Sequence, residues 1–134
     1  MVIQMKFSAD KAYEYQSLYG KQMLYFSMGI YNHDKSLALM ASTFNDLYQL
    51  DEPYGYITVC LGCEHKRGRA FVDINNLPGI DKVLEHYDIA KPTGVKVASG
   101  FVVYPEYMFS ENFLRTISPD AYEEYLKVNH WTVE

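Results

Sequence analysis

Apolar and polar residues alternate in several short stretches of the chain, which is the period of half-buried β-strands. The clearest alternation predicts a hairpin from segments 24–30 and 37–41, because the residues at 32–34 favour a turn. Segments 57–61 and 70–73 predict a second hairpin. Both hairpins indicate a mostly antiparallel sheet.

The N-terminal part gives one clear signal and one ambiguous signal. Alternation at 3–7 predicts a first strand. Segment 8–19 fits a short helix, because Ser8 suits a cap, and it fits an extended segment equally well, because Tyr13 and Tyr15 alternate with polar residues. Its structure is therefore left open.

Turn-forming residues divide the segment that follows residue 90. The motif Lys-Pro-Thr-Gly at 91–94 predicts a turn, and residues 95–97 and 101–104 have strand character. Gly100 predicts a bulge or a close backbone approach, and we expect Pro105 to end the strand pairing.

Two segments have helical character. Pro78 suits a first helical turn, and the apolar residues from 80 to 87 fall on one face, which predicts a helix at about 78–88. Ser118 and Pro119 predict the start of a C-terminal helix at about 119–128. The predicted fold class is α+β, a mostly antiparallel sheet packed by one central helix and one C-terminal helix.

Composition and charge narrow the class of protein. The 134 residues suffice for a single core, and no stretch approaches the roughly 18 consecutive apolar residues that a membrane span needs. The start of the chain lacks a signal-peptide pattern, and two cysteines are too few for a secreted disulfide framework, so we expect a cytoplasmic protein. The net charge of −5 argues against direct binding to nucleic acid through a broad basic face.

Motifs with chemical names are incomplete in this chain. Cys60 and Cys63 have the spacing of half a zinc site, with His65 close by, but the second half is missing. Asp73 begins a stretch like a calcium loop, which fails because Pro78 stands where that loop needs glycine. We therefore predict no metal, no cofactor and no catalytic residues.

One cluster of basic residues occurs at Lys66, Arg67 and Arg69, in a predicted turn between strands. A solvated loop is the ordinary explanation for such a cluster. A contact with a phosphate group or with a partner protein is the functional alternative. We keep these three residues as candidates for such a contact.

Tyrosine is unusually abundant, with thirteen residues in a chain that is 16% aromatic. Tyrosine suits half-buried sheet faces and binding surfaces alike, because its ring is apolar and its hydroxyl needs a polar partner. Two aromatic groups, one around Pro105 and one near the C-terminus, are the predicted partner-binding residues: Tyr104, Glu106, Tyr107, Tyr122, Tyr125 and Trp131.

Several short motifs between about residues 54 and 109 support a family resemblance. They are Tyr-Ile-Thr-Val at 56–59, Ala-Phe-Val-Asp-Ile-Asn-Asn at 70–76, Lys-Pro-Thr-Gly at 91–94, Ser-Gly-Phe at 99–101 and Tyr-Pro-Glu-Tyr at 104–107. This region resembles a family of small uncharacterised proteins, labelled a domain of unknown function, from mobile elements and phages of Gram-positive bacteria. The resemblance implies a genomic context and no catalytic residues. It leaves residues 1–134 as a single domain in which 110–134 form a candidate C-terminal extension.

The resemblance and the missing catalytic motifs favour a non-enzymatic accessory protein that binds another protein stoichiometrically. A host defence nuclease, such as a CRISPR effector or a restriction enzyme, is the expected partner, and a homodimer stays open. One alternative is a nucleic-acid-associated or regulatory protein of element transfer. Another is an enzyme or a small-molecule-binding protein whose site is assembled only in three dimensions.

Overall fold

A computed structural model describes residues 11–131, so the strand predicted at 3–7 lies outside the described residues. The elements, numbered in chain order, are β1 (Tyr13–Ser17), β2 (Gly20–Ile30), β3 (Leu37–Asn45), β4 (Leu50–Tyr56), β5 (Thr58–Val59), β6 (Arg69–Val72), α1 (Ile80–His86), β7 (Ala90–Ser99), β8 (Val102–Phe109), α2 (Glu111–Ile117) and α3 (Pro119–Val128).

The strands of the described region form two antiparallel sheets of four strands each. The first sheet has the order β1-β2-β3-β4, so it consists of consecutive hairpins. The second sheet has the order β5-β6-β8-β7. The predicted α+β class is confirmed, and the predicted hairpins lie in different sheets, one in each.

The two sheets meet where β4 passes into β5. The N–H of Ile57 donates to the C=O of Leu39 at 2.8 Å, which links the connection to β3. The hydroxyl of Thr58 accepts from the N–H of Leu39 at 3.0 Å and donates to the C=O of Leu37 at 2.9 Å. The buried Thr58 side chain therefore occupies the hydrogen-bonding position of a neighbouring strand.

Both predicted helices are present at the predicted positions, and the structure has a third helix that the sequence did not predict. The central helix is Ile80–His86, within the predicted 78–88, and the C-terminal helix is Pro119–Val128, as predicted. The additional helix α2 begins after Ser110, whose side chain accepts a hydrogen bond from the N–H of Phe113 at 3.1 Å. Ser110 is thus an ordinary N-cap, which stabilises a helix of only seven residues.

Two expectations about the β7–β8 hairpin were wrong. Residues 91–94 lie inside β7 rather than in a turn, and the ladder shifts register between Pro92 and Lys96. The turn consists instead of Gly100 and Phe101, with Gly100 at φ 64°. Pro105 does not end the pairing, because it still pairs with Lys96 of β7. On the other side of β8, the pairing with β6 begins only at Glu106, so the missing N–H of Pro105 breaks no hydrogen bond between strands.

A single buried cluster joins both sheets and all three helices of the described region. Its members include Leu24 and Leu39 from the first sheet, Val72 and Tyr107 from the second, and Leu84, Leu114, Tyr122, Tyr125 and Leu126 from the helices. The helices α2 and α3 both contact β2, so residues 111–128 cover the core-facing side of the first sheet.

Candidate partner-binding surface

The predicted partner-binding residues of β8 turn mostly toward the protein itself. Tyr107 is buried, and its hydroxyl donates to Glu85 Oε2 at 2.5 Å. Burial, together with this hydrogen bond and the negative charge of Glu85, raises the pKa of Tyr107. Tyr104 is half-buried. Tyr107 is therefore a core residue with a satisfied hydroxyl rather than an exposed anchor.

Glu106 is also buried, on the opposite side of the strand from Tyr107. Its Oε1 accepts a hydrogen bond from the Thr93 hydroxyl at 2.7 Å and lies 3.6 Å from Arg69 Nη1. Thr93 lies within the register shift between Pro92 and Lys96, and this irregular part of β7 brings the Thr93 hydroxyl to the Glu106 carboxylate. Glu106 thus holds β6, β7 and β8 together.

The C-terminal aromatic residues pack inside the fold. Tyr122 and Tyr125 are buried in the core, and the hydroxyl of Tyr125 accepts from the N–H of Gly68 at 3.0 Å. Burial raises the pKa of Tyr125 to about 12. Trp131 is half-buried, with its ring 5.3 Å from Tyr125 and 5.9 Å from His65. These three residues anchor the C-terminal helix and do not form an exposed patch.

The basic loop is largely neutralised by neighbouring acids. Arg67 Nη2 lies 3.7 Å from Glu111, and Arg69 pairs with Glu106, while Lys66 is exposed. The structure therefore ties two of the three candidate cations to the protein's own carboxylates. This arrangement weakens the case for a phosphate contact.

The cysteine loop meets the turn between β2 and β3. His33 packs over this loop, because a methyl group added to Gly62 would lie 3.3 Å from His33 Nε2. Asp34 Oδ2 accepts from the N–H of Gly62 at 3.2 Å, and burial together with a hydrogen bond to Asp34 raises the pKa of the Cys60 thiol. Among residues 11–131, no three His, Cys, Asp or Glu side chains are grouped so that they could hold a metal ion.

A cleft of about 680 Å³ lies beside β7, between that strand and the end of β8. Arg69, Asp88, Lys91 and Ser110 contribute its polar groups, and Met108 contributes apolar surface. Its volume falls in the range of small-molecule sites. The cleft is therefore one location in the described residues with the volume and polar groups that a small-molecule site needs.

The most exposed apolar side chains of the first sheet lie elsewhere, at the ends of two hairpins. The strands β2 and β3 are paired from the Ile30/Leu37 pair to the Tyr25/Ser42 pair. Beyond the Tyr25/Ser42 pair they are no longer paired with each other, and the hairpins β1–β2 and β3–β4 continue as two separate arms. Because the strands are antiparallel, both turns lie at the same end of the sheet. Neither turn belonged to the sites predicted from sequence.

Both turns carry a leucine followed by a tyrosine. The exposed fractions are 79% for Leu18, 93% for Tyr19, 80% for Leu47 and 66% for Tyr48. Three further exposed apolar residues lie on the arms next to these turns. We call the whole set the hairpin-arm surface, which includes both faces of the second arm because Phe44 pairs with Asp51 and Leu50 pairs with Asn45: Leu18, Tyr19, Met23, Phe44, Leu47, Tyr48 and Leu50.

The two turns are held in fixed conformations by side-chain hydrogen bonds. Ser17 Oγ donates to the C=O of Gly20 at 2.7 Å and accepts from the N–H of Tyr19 at 3.0 Å. In the second turn, Asn45 Oδ1 accepts from the N–H groups of Leu47 and Tyr48 at 3.0 and 3.2 Å. The exposed leucine and tyrosine residues therefore project from ordered turns.

The signal that sequence reasoning missed is the repeated Leu-Tyr pair. Two of the three Leu-Tyr pairs of the chain lie in turns, one after Ser17 in the segment whose structure was left open and one after Asp46 in a mostly polar stretch. The third pair, Leu24-Tyr25, lies inside β2. An apolar pair inside a turn is unusual, because turn tips are generally polar. Only the sheet order shows that the two pairs lie at one end of the same sheet.

Residues 26–129 match DUF4313, a domain of unknown function, and the chain belongs to this family. The match is longer than the 54–109 region on which the predicted resemblance rested. It extends to residue 129 and so includes both C-terminal helices, α2 and α3. No curated protein and no solved structure matches the chain significantly. In residues 11–131, no helix has the length and apolar character needed to cross a membrane.

Proposed function

We propose that the protein acts without catalysis, by binding another protein stoichiometrically through the hairpin-arm surface. The observation that carries this proposal is the pair of ordered turns that each expose a leucine and a tyrosine. Large exposed apolar surfaces mark interaction sites, and tyrosine is enriched among residues that dominate binding energy. The hairpin-arm surface takes the place of the binding surface predicted from Tyr107, Tyr122 and Tyr125, which the fold buries.

Order in the turns supports the same proposal. A flexible loop loses conformational entropy when it binds, at a cost of about 0.5–1.5 kcal/mol for each side chain that is immobilised. The hydrogen bonds of Ser17 and Asn45 hold the backbone of the two turns, so ordering the backbone adds little to the cost of fixing the side chains on binding. A partner that binds these turns therefore has less backbone motion to restrict.

The proposed setting is the cytoplasm of a bacterium, and the proposed biological role is that of a mobile-element or phage accessory protein directed at a host defence nuclease. This part rests on the family resemblance and on the aromatic composition. The test is a titration of the purified protein into cleavage reactions of CRISPR effectors and restriction enzymes. We expect inhibition that saturates near one equivalent for one enzyme, and full activity of every enzyme at large molar excess would contradict the role.

A second candidate function is the binding of a small molecule in the cleft beside β7. The volume of about 680 Å³ and the convergence of Arg69, Asp88 and Lys91 favour it. Thermal denaturation in the presence of a metabolite library tests this candidate. A ligand that raises the thermal unfolding midpoint of the natural chain and not that of Lys91→Ala would favour small-molecule binding in this cleft as the function.

A further inference from the structure

The rim of the hairpin-arm surface is acidic. Exposed carboxylates lie on both arms, at Glu14 on β1, Asp46 in the second turn, and Asp51 and Glu52 on β4. The one basic residue on the arms is the exposed Lys21. Two of the acids adjoin the apolar residues directly, because Glu14 pairs with Met23 and Asp51 pairs with Phe44.

No salt bridge joins these carboxylates to a basic group in the described part of the chain, and Glu14 shares a cleft with Lys82 and His86. The salt bridges among residues 11–131 join Arg67 and Arg115 to Glu111, and Arg69 to Glu106, so none reaches the arms. Glu52 accepts one hydrogen bond, from the neutral side chain of Asn45 at 2.9 Å. The acidic character is therefore strongest beside the second turn, where Asp46, Asp51 and Glu52 offer charge that a complementary surface would meet.

We propose that the partner of the hairpin-arm surface is a protein that presents lysine or arginine residues around an apolar anchoring site. This inference rests on the proposed function and specifies the chemistry of its partner. Opposite charge at the rim steers encounter and fixes orientation, while the leucine and tyrosine side chains supply the buried contact. Proteins that bind nucleic acid carry such basic surfaces, which agrees with the proposed class of target.

The same charges disfavour the other occupants of this surface. A second copy would bring two acidic rims together, and an anionic membrane leaflet or a nucleic acid would face a surface of its own sign. Each of these alternatives predicts a measurable result that differs from the proposal. Self-association and vesicle binding are therefore measured alongside the main experiment.

The experiment selects a phage-displayed library of random peptides on the immobilised full chain at low salt. Counter-selection uses the double variant Leu47→Ser/Tyr48→Ser, so that only peptides bound by the hairpin-arm surface survive. We expect the survivors to place lysine or arginine next to leucine or aromatic residues. Their synthetic forms should bind the Asp46→Asn/Asp51→Asn variant about tenfold more weakly, as expected for the loss of two exposed charge pairs.

Phe101→Ser is the matched control, because Phe101 is a fully exposed apolar residue in the turn of the β7–β8 hairpin of the other sheet. It should leave peptide affinity unchanged. Survivors without basic residues, or with affinities that ignore salt and the Asp46→Asn/Asp51→Asn change, would overturn the basic partner and leave the proposed protein-binding function standing. No survivors, concentration-dependent self-association through the arms, or arm-dependent binding to anionic vesicles would overturn both.

Discussion

The hydroxyl of Thr58 and the backbone N–H of Leu39 are 3.0 Å apart, and this hydrogen bond joins the two sheets. Because the hydroxyl also donates to the C=O of Leu37, one side chain satisfies two buried backbone groups of β3. The connection between β4 and β5 is thus held by a side chain where a further strand would otherwise be needed. The hairpin arms extend from the sheet that this contact anchors.

Thr58→Val should destabilise the protein by about 2 kcal/mol, since it leaves the N–H of Leu39 and the C=O of Leu37 buried without their partner. Valine keeps the shape, so the loss reports the hydrogen bonds. The measurement is the free energy of unfolding from denaturant titration. Thr58→Ser retains the hydroxyl, so its free energy of unfolding should fall clearly less than that of Thr58→Val. Equal decreases in both variants would contradict this account.

Removing the hydroxyl of Tyr107 should cost about 1–2 kcal/mol of unfolding free energy, because Glu85 loses the donor that lies 2.5 Å away. The variant is Tyr107→Phe, and thermal or denaturant unfolding measures the effect. Tyr19→Phe is the control, because Tyr19 is almost fully exposed. A loss of the same size in both variants would show that the Tyr107–Glu85 contact contributes nothing specific.

Stability should fall as the pH rises above 10, and Tyr125 should cause part of the fall. Its pKa is about 12 in the folded protein against an ordinary value of 10.0, so the unfolded chain loses the proton first. The stabilisation is fully present below pH 10 and is lost as the pH rises toward 12, at up to about 1.4 kcal/mol per pH unit.

The measurement for Tyr125 is the unfolding free energy from pH 8 to pH 12, compared between the natural chain and Tyr125→Phe. The unfolding free energy of Tyr125→Phe should be lower than that of the natural chain already at pH 8, because the N–H of Gly68 loses its acceptor. Its unfolding free energy should also fall less steeply as the pH rises above 10. Tyr107 adds to the slope in both proteins, with the same sign, since its pKa is also raised. An unchanged slope in Tyr125→Phe would refute the assignment.

Asn45→Ala should weaken partner binding without removing any apolar contact. Asn45 holds the second turn through the N–H groups of Leu47 and Tyr48, so the variant increases the motion of both side chains. We expect hydrogen exchange at these two amides to accelerate, and affinity for an arm-selected peptide to fall several-fold. Gln49→Ala is the control, since Gln49 bonds only to the C=O of Asp46 in this turn.

Local patterns predict the first hairpin, the central helix and the C-terminal helix. The alternation at 24–30 and 37–41 predicts strands that pair as Phe26 with Ala41 and Met28 with Leu39. Ser118 and Pro119 place the start of α3 correctly. The β7–β8 hairpin was misread because its proline residues favour turns locally, while pairing with β8 determines their conformation in the sheet.

The site was harder to predict than the fold. An aromatic stripe such as Tyr122 and Tyr125 looks the same in sequence whether it packs on its own core or on a partner, and here β2 lies against its helix. The Leu18–Tyr19 and Leu47–Tyr48 pairs are visible in the sequence, but the structure is needed to show that both lie in turns. Their position at the same end of one sheet depends on the strand order, which no local pattern specifies.

Site-specific photo-crosslinking in the native host tests the central claim most directly. A photo-reactive phenylalanine analogue replaces Tyr48 in the hairpin-arm surface or, as the control, Phe101 in the turn of the other sheet. The account predicts one dominant crosslinked protein from position 48, absent from position 101 and lost when Leu18→Ser/Tyr19→Ser is added. Equal crosslinking from both positions, or none from position 48 in cells where the protein is active, would contradict the claim that this surface binds a partner.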